Sequence, residues 1–231
     1  MADLFIRKNC SEAFAPTGEH LKQSFRELAH ELCAMGAAVD VVIRPYALSS
    51  LPHFGALSLA EQQEAVMKLA QYVSICQDVV ASGGSLRSTR TFVWRAFREF
   101  GWTPSSKLFE AMGEDHVVEI YDLNNIQLFR NFRFFEFCSY TLEDIFTRPW
   151  MQLFQRMSQS QTDDLLGFVT KLVKSRTRET IFPDLGIQNT REVDSELRYQ
   201  VDIEVDSMAL LFDATAEPVA FIACERAEFR S

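Results

Sequence analysis

The chain lacks the short motifs that mark the common catalytic chemistries. It contains no G-x-S-x-G, no H-E-x-x-H and no phosphate-cradling P-loop, so the usual signatures of serine hydrolases, zinc proteases and P-loop nucleotide enzymes are missing. Its five cysteines, at 10, 33, 76, 138 and 224, are odd in number and widely spaced. There is no C-x-x-C and no Cys/His ligand spacing. Free thiols in a reducing cytoplasm are expected, not a disulfide frame or a metal site. The opening Met1-Ala2-Asp3-Leu4-Phe5 has neither a charged leader nor a long apolar run. No signal peptide and no membrane span are expected. Internal repeats and low-complexity tracts are absent as well. Basic residues are outnumbered, 23 to 32, for a net charge of -9. That balance suits nucleic acid poorly. The deficit is local: residues 184–228 hold eleven acids against three arginines, and the rest is close to neutral.

What is present is apolar bulk. The 231 residues are 47% hydrophobic and include 20 phenylalanines, enough for one large domain or two small ones. Phe offers large apolar area without a polar handle, which suits a thick core, a ligand pocket or a partner surface. Five of the 20 fall within residues 129–137.

The first half reads as helices. Leu21, Phe25, Leu28, Leu32 and Met35 recur at three and four residues, up to Gly36. A second helix is expected over 59–81, with Ser58 and Glu61 as a capping box. A third spans 86–100 and a short one 105–112. The period then changes to two. Residues 116–122 and 126–130 alternate around Leu123-Asn124-Asn125, which predicts a β-hairpin. Short helices over 132–157 follow, then a longer one over 162–175. After a polar loop, two strands close the chain at 197–212 and 218–229. In the first of these, Val201, Ile203 and Val205 alternate with Asp202, Glu204 and Asp206, giving one buried and one acidic face.

This order resembles a PAS domain over about 114–229. The hairpin strands end in Asp122 and Asn131. An aromatic helix and Ser139-Tyr140-Thr141-Leu142-Glu143-Asp144-Ile145 follow, similar to a Gly-Tyr-x-x-Glu-Glu-Leu segment with Ser139 in place of glycine. Trp150 stands where a tryptophan often follows. Residues 207–222 look like the final hairpin, with Asp213-Ala214-Thr215-Ala216 in place of Asp-x-x-Gly. The helical residues 1–112 match no family. The resemblance implies an α+β chain: a helical region, 1–112, followed by a PAS-like antiparallel sheet covered by short helices, 113–231. It implies a regulatory signalling module, not an enzyme, that works by small-molecule sensing or dimerisation. Phe129, Asn131, Phe132, Phe135, Ser139, Tyr140 and Trp150 are the expected pocket, for a small and mostly apolar ligand.

No cofactor is identified. Cys138 lacks the Asn-Cys-Arg context of a flavin-adduct cysteine and reads as a small buried hydrophobe. His116 precedes the first strand and reads as a surface or core-edge residue, not a haem ligand. Asp202, Glu204 and Asp206 read as a solvated strand face, not a cation site. A homodimer is expected through the N-terminal helices, with Leu21, Phe25 and Leu28 as candidates. The alternative function is a DNA-binding regulator using Arg87, Arg90, Arg95 and Arg98 on the third helix; a solvated arginine face explains the same pattern.

Overall fold

A computed structural model describes residues 17–105 and 107–230. Cys10 and the opening residues lie outside that range. The first half is helical. In α1 (Gly18–Ala37), Thr17 accepts the amide of His20, and Leu21, Phe25, Ala29 and Leu32 form the buried stripe. After the short α2 (Pro52–Ala56), α3 (Leu59–Ala81) has the expected bounds. Ser58 and Glu61 cap it reciprocally, satisfying two amides that no helical carbonyl can reach. α4 (Thr89–Phe100) starts three residues later than its periodicity suggests, because the Ser88 hydroxyl accepts from Thr91 and fixes the first turn there. It stops at Gly101, whose φ of 68° suits a residue without a side chain. α5 (Leu108–Ala111) ends the helical half.

β1 (Val117–Asp122) and β2 (Gln127–Arg130) form the expected hairpin. The Asp122 carboxylate holds the turn by accepting the amides of Asn124 and Ile126, each at 2.8 Å. A 3-10 turn (Phe132–Glu136), α6 (Leu142–Thr147) and α7 (Trp150–Leu153) follow. Then come β3 (Phe154–Arg156), α8 (Gln159–Ser175), β4 (Ile187–Glu192), β5 (Gln200–Phe212) and β6 (Pro218–Phe229). The six strands make one antiparallel sheet in the order β2-β1-β6-β5-β4-β3. The chain is thus α+β, with a helical N-terminal region and a sheet covered by short helices.

Two strands correct the sequence reading. β3 falls where a helix is expected, and three residues are too few to show a period. β4 falls in the expected loop. Its inward residues are Gln188, Thr190 and Glu192, so the buried side of the strand is polar and carries no hydrophobic alternation.

The phenylalanines behind the hairpin belong to a continuous core that crosses the whole chain. Tyr72 of α3 is its hub. Its ring lies 5.5 to 6.5 Å from those of Phe92, Phe129, Phe132, Phe135 and Phe146, and its hydroxyl donates to the Arg130 carbonyl at 2.8 Å. Edge-on and tilted rings at these distances attract beyond their area burial. Main-chain bonds add to the joint: Leu142 and Glu143 donate to Arg44 and Pro45 at 2.7 and 3.1 Å. The Glu143 carboxylate accepts the first free amides of α2, those of His53 and Phe54. Helix gives way to strand between Ala111 and Val117, but the apolar core continues across that point.

This packing corrects the proposed dimer residues. Leu21 is 5% exposed and Phe25 is fully buried. Both are spent on the chain's own core, and Leu28 packs half-buried against it.

Candidate functional site: a polar cavity under helix α8

Alternation gives each strand of the sheet two different faces. On β1, Val118 and Ile120 join the core with the N-terminal helices, while Glu119 and Tyr121 point the other way. Opposite them on β6, Ile222 and Cys224 face the helices, while Phe221, Ala223 and Glu225 share the face of Tyr121. A bulge between Val205 and Ser207 shifts the inward set of β5, so Val201, Ile203 and Met208 all reach the same side.

α8 covers this second face with Leu165, Leu166 and Val169 but does not fill it. A cavity remains. About 90 Å³ of it is open to the centres of water-sized spheres, where one water needs roughly 10–15 Å³. Trp150 lines the cavity. Its indole N–H donates to the Asn125 carbonyl at 3.1 Å, which ties α7 to the hairpin turn. Tyr121 stacks on Phe221 with centroids 5.4 Å apart, and the Arg156 guanidinium lies 5.6 Å from the Trp150 ring.

Several polar groups of the cavity are ionisable. Glu119 and Glu225 meet side chain to side chain. Burial pushes both carboxyls above the usual range, Glu225 to about 8, with the neighbouring carboxylate adding to the shift of Glu225. Glu225 therefore favours its protonated form at pH 7. Gln127 and Tyr121 also hydrogen-bond Glu119. Glu119 keeps some accessible surface although protein surrounds it, because it looks into the cavity. Arg130 stands across from it on β2, between the rings of Phe134 and Phe146. Glu192 is saturated by neutral donors: the amide and hydroxyl of Ser139, the hydroxyl of Ser195 and the amide of Tyr199.

Of the expected pocket residues, the structure brings Trp150 to this cavity. Phe129, Phe132 and Phe135 turn to the other side, against Tyr72 and Phe92. Asn131 splices backbone together. Its carbonyl accepts from Val118 at 3.0 Å, and its amide donates to the His116 carbonyl and the Thr89 hydroxyl. Ser139 holds Glu192. The Tyr140 hydroxyl donates to the Leu153 carbonyl at 2.6 Å and accepts the Val193 amide at 3.0 Å. These positions fix the cover and leave the cavity to Glu119, Tyr121, Arg156, Thr190 and Glu225, which the sequence reading did not select. The one available signal was a charge inside an apolar strand, as in Val118-Glu119-Ile120 and Cys224-Glu225.

The other candidates are engaged elsewhere. Burial pushes the Cys138 thiol up, away from a reactive thiolate. His116 uses both ring nitrogens, accepting from the Gly113 amide and meeting Asp206 at 3.0 Å. Among the four arginines offered for DNA, Arg87 binds the Val39 carbonyl and Glu136, and Arg90 binds the Met112 carbonyl. Arg95 and Arg98 share a recess with Asp78 and Glu99. Among the described residues, no group of three His, Cys, Asp or Glu side chains is placed to hold a metal, and no helix is long and apolar enough to cross a membrane. No protein-family model and no curated protein sequence matches this chain, and its function is argued from this cavity.

Proposed function

We propose that the chain is a regulatory sensor module that admits a small molecule to the cavity under α8 and reports it through packing. The observation that carries this reading is a partly open hollow with room for several waters, walled by aromatic and aliphatic side chains and holding a few ionisable groups. Ligand sites have that composition, whereas interiors without such a role pack densely. The PAS resemblance puts a ligand under the short helices that follow the hairpin; the cavity lies on the other face of the sheet, under the longer α8, and the reading rests on that cavity. Output has a physical route. β1 and β6 carry the cavity on one face and the N-terminal helices on the other, so a shift of Glu225 or Tyr121 is one residue away from Cys224 or Ile120. The DNA-binding alternative loses Arg87 and Arg90 to bonds within the chain.

Native mass spectrometry of freshly purified protein, joined to a thermal-shift screen of small polar-headed fragments, tests the proposal. A retained mass, or a fragment whose stabilisation Trp150→Ala removes, is the expected result. A bare chain that no fragment stabilises would overturn it.

A further inference from the structure

We infer that the cavity takes an apolar monocarboxylate, its carboxylate held by Arg156 and Thr190 and its body laid against Trp150 and α8. This rests on the sensor reading above and names the class of ligand. Two polar atoms in the cavity wall are buried and have no hydrogen-bond partner: Nε of Arg156 and Oγ1 of Thr190. They are not independent accidents. Arg156 of β3 and Thr190 of β4 are direct partners in the antiparallel ladder, so their side chains leave the sheet together on one face. Two adjacent unpaired donors, one of them cationic, form a fork for a planar anion with two acceptor oxygens.

The charge of Arg156 acts on Glu119 and Glu225, lowering both carboxyls, but neither carboxylate forms an ion pair with it. Among the described residues no carboxylate oxygen lies within 4.0 Å of the Arg156 guanidinium. Glu119 and Glu225 are turned to each other, with Arg130 opposite Glu119. Glu192, two residues along β4 from Thr190, is occupied by four neutral donors. Arg191 is exposed and bonded to Gln155. A buried guanidinium Nε–H without an acceptor is costly to keep, and a bound carboxylate supplies one. The rest of the wall asks for an apolar body. Leu165, Leu166, Val169, Phe154 and Ile203 offer no hydrogen bond, and Trp150 already spends its N–H on Asn125.

Three ligands of one shape separate the possibilities: phenylacetate, phenylacetamide and phenethylamine, titrated by calorimetry at pH 7 into the full chain. Phenylacetate should bind at least about tenfold more tightly than the amide or the amine, the margin of a charge-assisted fork over a neutral one. Arg156→Gln should erase that preference, and Thr190→Val should reduce it. Preference for the amine would assign recognition to the Glu119–Glu225 pair and overturn the inference. Equal binding of all three, or a carboxylate preference that survives Arg156→Gln, would overturn it too. In each of these cases the cavity still takes a ligand and the sensor reading stands; binding of none overturns this inference, while the sensor reading is decided by the fragment screen. The series on the unsubstituted protein decides the class even where a variant does not fold.

Discussion

The sheet has two faces, and they are built from alternate residues of the same strands. Toward the N-terminal helices β1 and β6 present Val118, Ile120, Ile222 and Cys224, all fully buried. One residue along, toward α8, they present Glu119, Tyr121, Ala223 and Glu225 around an open space. The first face is apolar; the second carries ionisable groups around a cavity. Burying charge without full pairing costs several kcal/mol per ion in proteins, so a cavity of this kind persists only where the rest of the molecule is stable enough to carry it. The aromatic cluster around Tyr72 is the natural source of that stability. Stability therefore belongs to one face, and the proposed ligand chemistry to the other.

The largest effects should follow from damage to the dry face. Phe92→Ala or Phe129→Ala removes a fully buried ring that touches Tyr72. Either should cost roughly 3–5 kcal/mol, read as a lower urea midpoint. A change under about 1 kcal/mol would mean that this cluster is not the stabilising centre. A smaller loss, about 1–3 kcal/mol, is expected for Asn131→Ala, which leaves the buried amide of Val118 without its acceptor.

The wet face should reveal itself through pH. The folded carboxyl of Glu225 is raised to about 8, so in the window between the usual carboxylate range and 8 the native state binds a proton that the unfolded chain has released. Stability is then highest on the acid side and falls as pH rises through this window. Unfolding free energies from urea titrations at pH 5.5 and 8.5 should differ by up to roughly 3 kcal/mol from this pair alone, and Glu225→Gln should flatten the slope. A slope of unchanged size in that variant would place the titrating group elsewhere. The smallest effect is expected for Thr190→Val. Replacing an unpartnered buried hydroxyl by a methyl of similar size should leave stability within about 0.5 kcal/mol of the original or raise it. A loss above about 1 kcal/mol would mean that the hydroxyl has a partner after all.

Much of the dry face was legible in the sequence. Ser58 and Glu61 announce α3, and the apolar repeats of α1 and α4 announce their buried stripes. Alternation marks the hairpin and the two long strands. Local patterns of this kind report which side of an element is apolar. The cavity was not legible, because its residues lie at 119, 121, 156, 190 and 225 and only the β1–β6 and β3–β4 registers gather them. β4 hid for the same reason: its buried side is made of Gln188, Thr190 and Glu192, which read as loop. The phenylalanines misdirected attention. Their density signals an aromatic interior, but the 3-10 turn at Phe132–Glu136 aims Phe132 and Phe135 at Tyr72 and away from α8.

The three tryptophans allow both faces to be watched at once. Trp150 lines the cavity, while Trp94 meets Phe109 and Trp102 stacks on Phe100 at 4.2 Å in the helical half. The indole N–H resonances should be followed by NMR while phenylacetate, phenylacetamide and phenethylamine are added in turn. The Trp150 signal should move in a saturable way with at least one of them while Trp94 and Trp102 stay in place. A stationary Trp150 with all three, or movement confined to Trp94 and Trp102, would contradict a ligand site in the cavity under α8.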